Sequence, residues 1–167
     1  MERFEGRLSA LAGTHTLLVQ SDWRGADLGD LAHQELDPYI AENADRLRIQ
    51  GEPILLPADI ATPFGLVLHE LATNAAKYGA LTNSTGRVAV TWTVSIGNNP
   101  RRLRFVWKET DGPAPSRPAS RGFGSTLIET AIPGAQVRRE FEPDGFACTI
   151  ELPVPESGEH AAAAELH

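Results

Sequence analysis

The 167-residue sequence is poor in cysteine, in basic residues and in long apolar runs, and each shortage excludes a class of protein. The single cysteine, Cys148, excludes an internal disulfide and a zinc site built from several cysteines. No apolar stretch approaches the roughly 20 residues that a membrane-spanning helix needs. Because 15 Lys and Arg stand against 22 Asp and Glu, for a net charge of −7, we expect no nucleic-acid partner, which would require clustered cations.

The first ten residues also lack the apolar segment of a secretory signal, because charged side chains fall where that segment would lie. With 41% hydrophobic and 22% charged residues, the composition is typical of a globular domain with a buried core. We therefore expect a reduced, soluble, cytoplasmic domain of one globular unit, with a short appendage.

Apolar residues change their spacing about halfway along the chain. In the first half, three- and four-residue spacing predicts helices over 2–20, 28–36 and 59–78, with Asp59 as the N-cap of the last. Residues 47–49 and 54–56 are predicted to form two short strands paired in a hairpin. In the second half, alternation predicts strands over 88–96, 103–109, 136–141 and 146–152, with one more helix over 122–132.

This order of elements predicts an α/β (α+β) two-layer sandwich. We expect a mixed, mostly antiparallel sheet of about five strands, covered on one face by helices. Residues 110–121, with three prolines and one glycine, show no apolar periodicity. A loop of that length in a compact domain is usually functional or mobile, so we interpret it as a lid.

Residues 66–81, LVLHELATNAAKYGAL, carry the most informative pattern. At about 100° per residue on an α-helix, Glu70, Thr73, Asn74 and Lys77 share one side of the helix, opposite the apolar residues. A carboxamide beside a carboxylate suits a hydrated Mg²⁺ or a positioned water, and a lysine one turn further suits a phosphate. From spacing alone, an ordinary solvated helix face explains the same stripe.

Two later motifs add to this stripe. Glu109 shares a strand face with Trp107 and other apolar residues, where a carboxylate needs a donor such as a purine amine. The alternative is a strand-end glutamate that reaches solvent. Gly122 and Gly124 precede a helix, where exposed backbone N–H groups bind phosphate, although an ordinary glycine turn would have the same sequence.

In this order, the motifs resemble the catalytic ATP-binding domain of HWE-subfamily sensor histidine kinases, which are GHKL-type proteins with the Bergerat fold. His69 in HELATNAAKYGAL matches the asparagine box of that subfamily, and Trp107 with Glu109 matches its Trp-x-Glu glycine box. The resemblance extends over about residues 4–153. It implies a Bergerat ATP-binding fold and an ATP-dependent protein histidine kinase of two-component signal transduction.

The resemblance also implies a role for each matching residue. Asn74 would ligate the Mg²⁺ that bridges the ATP phosphates, and Lys77 would contact phosphate. Glu70 would orient or deprotonate the attacking group, or hold a metal-bound water, so that these three residues form the catalytic set. Tyr78 would lie near the adenine. The implied nucleotide-binding residues are Asn74, Lys77, Tyr78, Trp107, Glu109, Gly112, Gly122, Phe123, Gly124, Ser125 and Thr126.

The implied partners are ATP, a phosphoacceptor histidine and the receiver domain of a response regulator. The sequence contains no histidine–Arg–hydrophobic–Lys–Asn acceptor motif, so we expect the acceptor in an upstream segment or in a dimer mate. On this basis, residues 1–25 are expected to be the remnant of a dimerisation helix and residues 26–155 the ATP-binding domain. Residues 156–167 are expected to be a disordered tail.

Two other functions remain open at this point. A histidine-phosphotransfer module that docks response regulators would keep the fold with a non-functional nucleotide pocket. Asp111, where the family commonly has a glycine, is the residue in favour of that function. A GHKL-type ATPase or serine kinase would share the asparagine, because a fold alone does not define a function.

Overall fold

The computed structural model describes residues 2–40, 43–95, 100–115 and 122–155. The predicted tail, 156–167, and the second half of the predicted lid, 116–121, lie outside these residues. In the described part of the chain, the α-helices are α1 (Glu2–Gln20), α2 (Leu28–Leu36), α3 (Ala58–Lys77) and α4 (Phe123–Thr130). Short 3₁₀ turns occur at Asp37–Tyr39, Ala44–Arg46 and Ala80–Thr82.

The strands form two sheets. They are β1 (Ala26–Asp27), β2 (Leu47–Gly51), β3 (Leu55–Leu56), β4 (Arg87–Val94), β5 (Arg101–Thr110), β6 (Gln136–Glu142) and β7 (Gly145–Val154). The larger sheet has the order β2-β4-β5-β7-β6, and β1 pairs with β3 in a separate two-stranded sheet. In the larger sheet, β2 and β4 are parallel and the other neighbours are antiparallel. The predicted mixed, mostly antiparallel sheet is therefore confirmed.

The predicted hairpin between residues 47 and 56 is wrong. Leu47 lies opposite Val88 in a parallel ladder with β4, whereas Leu56 lies opposite Ala26. Glu52, directly after β2, explains the separation, because its backbone carbonyl accepts a hydrogen bond from Nε1 of Trp92 at 2.8 Å. Pro53 follows and has no N–H to offer to a ladder. The chain is thus held against β4 rather than turned back on β2.

The start of α3 also differs from the prediction. The helix begins at Ala58, with Pro57 as its N-cap residue, and Asp59 lies in the first turn instead of capping it. A proline N-cap offers no side-chain hydrogen bond, but a carboxylate in the first turn complements the positive end of the helix dipole.

The core lies between α3 and one face of the larger sheet. Phe64, Leu68 and Leu71 of α3 are buried, as are alternate residues of β5, namely Leu103, Phe105, Trp107 and Glu109. The rings of Phe64 and Phe105 meet edge to face, with their centroids 5.1 Å apart. The two-layer sandwich predicted from the spacing is therefore confirmed. Within the described residues, no helix combines the length and apolarity that crossing a membrane requires.

Candidate functional site

A cavity of about 620 Å³ opens beside α3, between that helix, α4 and the edge of the core. Residues from distant parts of the sequence line it, from α1 to β7. Most of the residues singled out in the sequence are among them: Glu70, Asn74, Lys77, Tyr78, Glu109, Gly122, Gly124 and Ser125. The polar side of α3 and the glutamate of β5 therefore face one common space.

The polar stripe of α3 faces this cavity because the apolar stripe of the helix is buried in the core. Glu70, Asn74 and Lys77 line the cavity, and so do His69 and Thr73. The helix ends just after Lys77, where the backbone N–H groups of Tyr78 and Gly79 donate to the carbonyl of Asn74 at 2.8 and 3.1 Å. The three residues of the predicted catalytic set are thus held on one regular helix.

Glu109 is a buried carboxylate whose two oxygens each accept a hydrogen bond. The backbone N–H of Ala80 donates to Oε1 at 2.9 Å, and Nε1 of Trp107 donates to Oε2 at 2.9 Å. Burial raises the pKa of Glu109 above its ordinary value, and the hydrogen bonds from Ala80 and Trp107 act in the opposite direction. Because a carboxylate has further lone pairs, Glu109 retains acceptor capacity toward the cavity.

Glu70 is ion-paired across the domain. Nε of Arg7 in α1 donates to Oε1 of Glu70 at 2.6 Å, and only 8% of the Glu70 side chain is exposed. Its other oxygen lies beside α4, since a Cβ added at Gly124 would approach Oε2 to 2.5 Å. The absence of a side chain at Gly124 thus lets α4 come close to the Glu70 carboxylate.

His69 has a carboxylate partner that the sequence did not reveal. Nδ1 of His69 lies 3.0 Å from Oε2 of Glu35 in α2, and both side chains are largely buried. A carboxylate at Nδ1 favours the tautomer with the proton on that nitrogen. The pair therefore fixes the orientation of the His69 ring at the rim of the cavity.

Four of the predicted nucleotide-binding residues are not among those that line the cavity. Trp107 is fully buried behind Glu109, and Gly112 lies against the backbone of Ala80. The side chain of Phe123 is mostly exposed, with the Arg7 guanidinium 4.5 Å from its ring centroid. Thr126 donates its hydroxyl to the carbonyl of Gly122 at 3.3 Å. Trp107 therefore supports Glu109 rather than lining the space itself.

Strand β6 supplies cavity residues that were missed in the sequence. Arg139 and Phe141 of β6 line the cavity, together with Phe146 of β7. The guanidinium of Arg139 donates to Oε1 of Glu129 at 2.6 Å and to the hydroxyl of Ser125 at 3.3 Å. The available signal was a cation at an alternate position of β6, on the side where apolar residues are expected.

Asp111 lies away from the cavity. Its backbone has a φ of 60°, in the left-handed region that favours glycine, which gives a physical reason for the glycine that the family commonly has there. Its exposed carboxylate lies 3.9 Å from Nε of Arg87, and Asp111 is not among the residues that line the cavity. The charge of Asp111 is thus directed to the surface near Arg87.

The donor atoms at the cavity fit a magnesium ion that is held mainly by a ligand. The described residues contain no group of three or more His, Cys, Asp and Glu side chains suited to a metal ion. Asn74 and Glu70 nevertheless offer one carboxamide and one carboxylate from neighbouring turns of α3. Mg²⁺ commonly takes one or two protein oxygens and completes its shell with phosphate oxygens and water.

Comparisons with known proteins define the class of this fold. The chain superimposes on the histidine kinase domain of the blue-light activated histidine kinase of Erythrobacter litoralis, with a TM-score of 0.67 at 21% identity over 96% of this chain and 78% of that one. It also matches the histidine kinase ThkA, solved in complex with the response regulator protein TrrA, with a TM-score of 0.54 at 17% identity over 77% of this chain and 40% of that one. The fold is that of a histidine kinase catalytic domain.

Sequence comparison also finds similarity to histidine kinases. The family model described as HWE histidine kinase matches residues 1–53. Over 156 residues, the chain is 35% identical to the blue-light-activated histidine kinase of Brucella anthropi, covering 92% of this chain and 32% of that protein. The chain is thus similar to histidine kinases over nearly its whole length and to the HWE histidine kinase model over its first 53 residues. It spans about a third of the length of the curated relatives it matches.

Proposed function

We propose that this domain binds ATP together with Mg²⁺ in the cavity and transfers the γ-phosphoryl group to a histidine on a separate segment. The observation that carries the proposal is that Asn74 of α3 and Glu109 of β5 line one cavity. A purine base and a triphosphate have opposite chemical needs, and the cavity offers different side chains to each.

The buried carboxylate of Glu109 and the apolar residues that line the cavity suit the adenine. Glu109 offers acceptor capacity in apolar surroundings, with Phe146 and Ile128 also lining the space. An exocyclic amine placed there would supply a donor to the buried carboxylate, and the base would exclude water from it. Tyr78, exposed at the rim, is placed to cover the base or the ribose.

Other lining residues suit the phosphates. Lys77 supplies a positive charge, and Gly122 and Gly124 expose the backbone at the start of α4. Asn74, with Glu70 through a water molecule, would hold the Mg²⁺, which when bound neutralises the charge of the phosphates. In the transfer, the bond between the γ-phosphorus and the bridging oxygen breaks, a phosphorus–nitrogen bond to the acceptor imidazole forms, and ADP leaves.

The domain's own contribution to catalysis is mainly positioning. Asn74, Lys77 and Glu109 fix the nucleotide so that the γ-phosphoryl group faces the acceptor in line. Glu70 orients or deprotonates the attacking group. We further infer that the phosphoryl group passes from the acceptor histidine to a response-regulator receiver domain, a proposal supported by the TrrA complex of ThkA. The need for ATP supports a cytoplasmic location.

Calorimetric titration with Mg²⁺ and a non-hydrolysable ATP analogue tests the proposal. We expect saturable binding that Asn74→Ala weakens at least roughly tenfold, since one lost ligand to the metal and phosphates is worth at least about 1.4 kcal/mol. Gln50→Ala is the matched control, because it removes an exposed carboxamide from β2. The absence of saturable binding, or equal binding by all three proteins, would overturn the proposal.

Two other outcomes identify the alternatives. Response-regulator binding that persists without any nucleotide binding would favour the phosphotransfer docking module. ATP hydrolysis without formation of phosphohistidine, in the presence of a histidine-bearing acceptor, would favour a GHKL-type ATPase or serine kinase.

A further inference from the structure

The N-terminal helix α1 reaches the candidate site itself. Gly6 lines the cavity, and a Cβ added there would lie 2.8 Å from Nε2 of His69. Such a distance is shorter than ordinary van der Waals contact, so the lack of a side chain at Gly6 permits the close approach of α1 to α3. The adjacent residue, Arg7, contacts Glu70, so neighbouring residues of α1 meet neighbouring residues of α3.

Arg7 of α1 contacts residues of both α3 and α4. Its Nε donates to Oε1 of Glu70 at 2.6 Å, and its guanidinium lies over the ring of Phe123, the first residue of α4, at 4.5 Å from the centroid. The Arg7 side chain is 20% exposed and that of Glu70 is 8% exposed. A charge-assisted hydrogen bond in such surroundings fixes geometry more firmly than an exposed ion pair does.

This contact decides which part of the Glu70 carboxylate remains available. Oε1 is engaged by Arg7, whereas Oε2 lies beside Gly124, one of the glycines at the start of α4 that are proposed to hold phosphate. Without Arg7, the carboxylate would be free to rotate and would lose the partner that compensates its burial.

We propose that Arg7 is a positioning residue that orients Glu70 for phosphoryl transfer, so that α1 completes the active site. The inference rests on the proposed function, because it assigns Glu70 a part in the transfer. It predicts that the position of α1 controls turnover more strongly than it controls nucleotide affinity, because Asn74, Lys77 and Glu109 lie on other elements.

A double-mutant cycle in the full chain tests this role. The variants are Arg7→Gln, Glu70→Gln and the double variant, assayed for phosphoryl transfer from MgATP to a histidine-bearing segment. We expect Arg7→Gln to lower kcat by roughly tenfold or more with KM for MgATP nearly unchanged, the pattern of an interaction that matters only in the transition state. In the Glu70→Gln background, Arg7→Gln should have little further effect, because its action passes through that carboxylate.

Two further variants separate positioning from a structural role. Arg7→Lys keeps the charge but not the planar guanidinium, and we expect it to recover part of the lost kcat. Arg104→Gln is the matched control, since it removes an Nε–Oε1 contact of 3.1 Å from an exposed pair with Glu151, and it should leave kcat and KM unchanged. If Arg7→Gln does not fold, the test is the comparison of kcat and KM between Arg7→Lys and wild type.

Several results would overturn the proposal. Effects of Arg7→Gln and Glu70→Gln that multiply in the double variant would mean that Arg7 acts independently of Glu70. An unchanged kcat in both Arg7 variants would remove any role in transfer. In either case, saturable binding of MgATP by the wild-type chain leaves the proposed function standing. A wild-type chain that does not bind MgATP overturns the proposed function and the role of Arg7 with it.

Discussion

The indole Nε1 of Trp107 donates a hydrogen bond to Oε2 of Glu109 at 2.9 Å, although both side chains are buried. The two residues lie on the same face of β5 because side chains two apart in a strand point the same way. The spacing of Trp-x-Glu therefore has a structural reason. A glutamate on an apolar face needs a hydrogen-bond donor, and Trp107 supplies one. The Glu109 carboxylate also lines the cavity.

The raised pKa of Glu109 predicts that this residue contributes to the pH dependence of stability, and that Glu109→Gln removes this contribution. Between the ordinary value of 4.5 and the raised value, the folded state binds more protons than the unfolded state. The free energy of unfolding therefore falls as the pH rises through this window, by at most about 1.4 kcal/mol per pH unit. The contribution of Glu109 is fully present below the unfolded pKa and is lost above the folded one.

Denaturant unfolding at a series of pH values checks this prediction. The unfolding free energy of wild type minus that of Glu109→Gln should decrease as the pH rises above 4.5 and then become constant. Glutamine offers only one acceptor oxygen to Ala80 and Trp107, which adds an offset that does not depend on pH. Parallel curves for the two proteins would contradict a raised pKa at Glu109.

The two glycines at the start of α4 should respond differently to alanine. A Cβ at Gly124 would lie 2.5 Å from Oε2 of Glu70, whereas one at Gly122 would meet nothing within 4 Å. Gly124→Ala must displace a carboxylate that Arg7 holds, so we expect it to lower the unfolding free energy by about 1–3 kcal/mol. Gly122→Ala should be neutral, or should stabilise by about 0.4–1 kcal/mol through the unfolded state.

Thermal and denaturant unfolding of the two glycine variants, compared at one pH, provide the measurement. Gly122→Ala serves as the internal control for adding a methyl group at this end of α4. Equal stabilities of the two variants would show that Glu70 yields to the new methyl group without cost, and the tight contact between α3 and α4 would then be wrong.

Cys148 should be inert toward thiol reagents in the folded protein. Burial raises the pKa of its thiol to about 12, with smaller and opposing effects from Arg139 and Glu129. Since the thiolate is the reactive species, a thiol-specific chromogenic reagent at pH 8 should label Cys148 only as the protein unfolds. The check is the rate of labelling across a denaturant series. Labelling at the rate of a free thiol without denaturant would contradict the burial.

Periodicity in the sequence predicted the elements well but predicted their partners poorly. The alternation of β5 placed Leu103, Phe105, Trp107 and Glu109 on one buried face, and the stripe on α3 pointed to the cavity. Both are local patterns with a fixed repeat. The predicted partner of β2 was wrong, because the pairing depends on the hydrogen bond from Trp92 to Glu52, which are 40 residues apart in the sequence. No local repeat encodes such a contact.

The same distinction applies to the candidate site. Asn74 and Glu109 were found because each sits in a recognisable local motif, and the cavity brings them together. Arg7, Glu35 and Arg139 were missed because each acts through a distant partner. The separation between Arg7 and Glu70 is 63 residues and that between Glu35 and His69 is 34. Such pairs become visible only when the helices are packed.

The roles of the individual site residues and the boundaries at residues 25 and 155 remain predictions. The contacts of Gly6 and Arg7 with α3 show that α1 and the cavity share residues at their junction. A boundary drawn near residue 25 therefore separates parts of the chain that meet at the proposed site.

The most direct test of the account is a crystal structure of the domain with Mg²⁺ and a non-hydrolysable ATP analogue. We predict that the adenine amine lies within hydrogen-bond distance of a Glu109 oxygen, at roughly 2.7–3.2 Å, and that the carboxamide oxygen of Asn74 coordinates a Mg²⁺ bound to the phosphates. An analogue bound with its base away from Glu109, or with its phosphates away from Asn74, would contradict the proposed function.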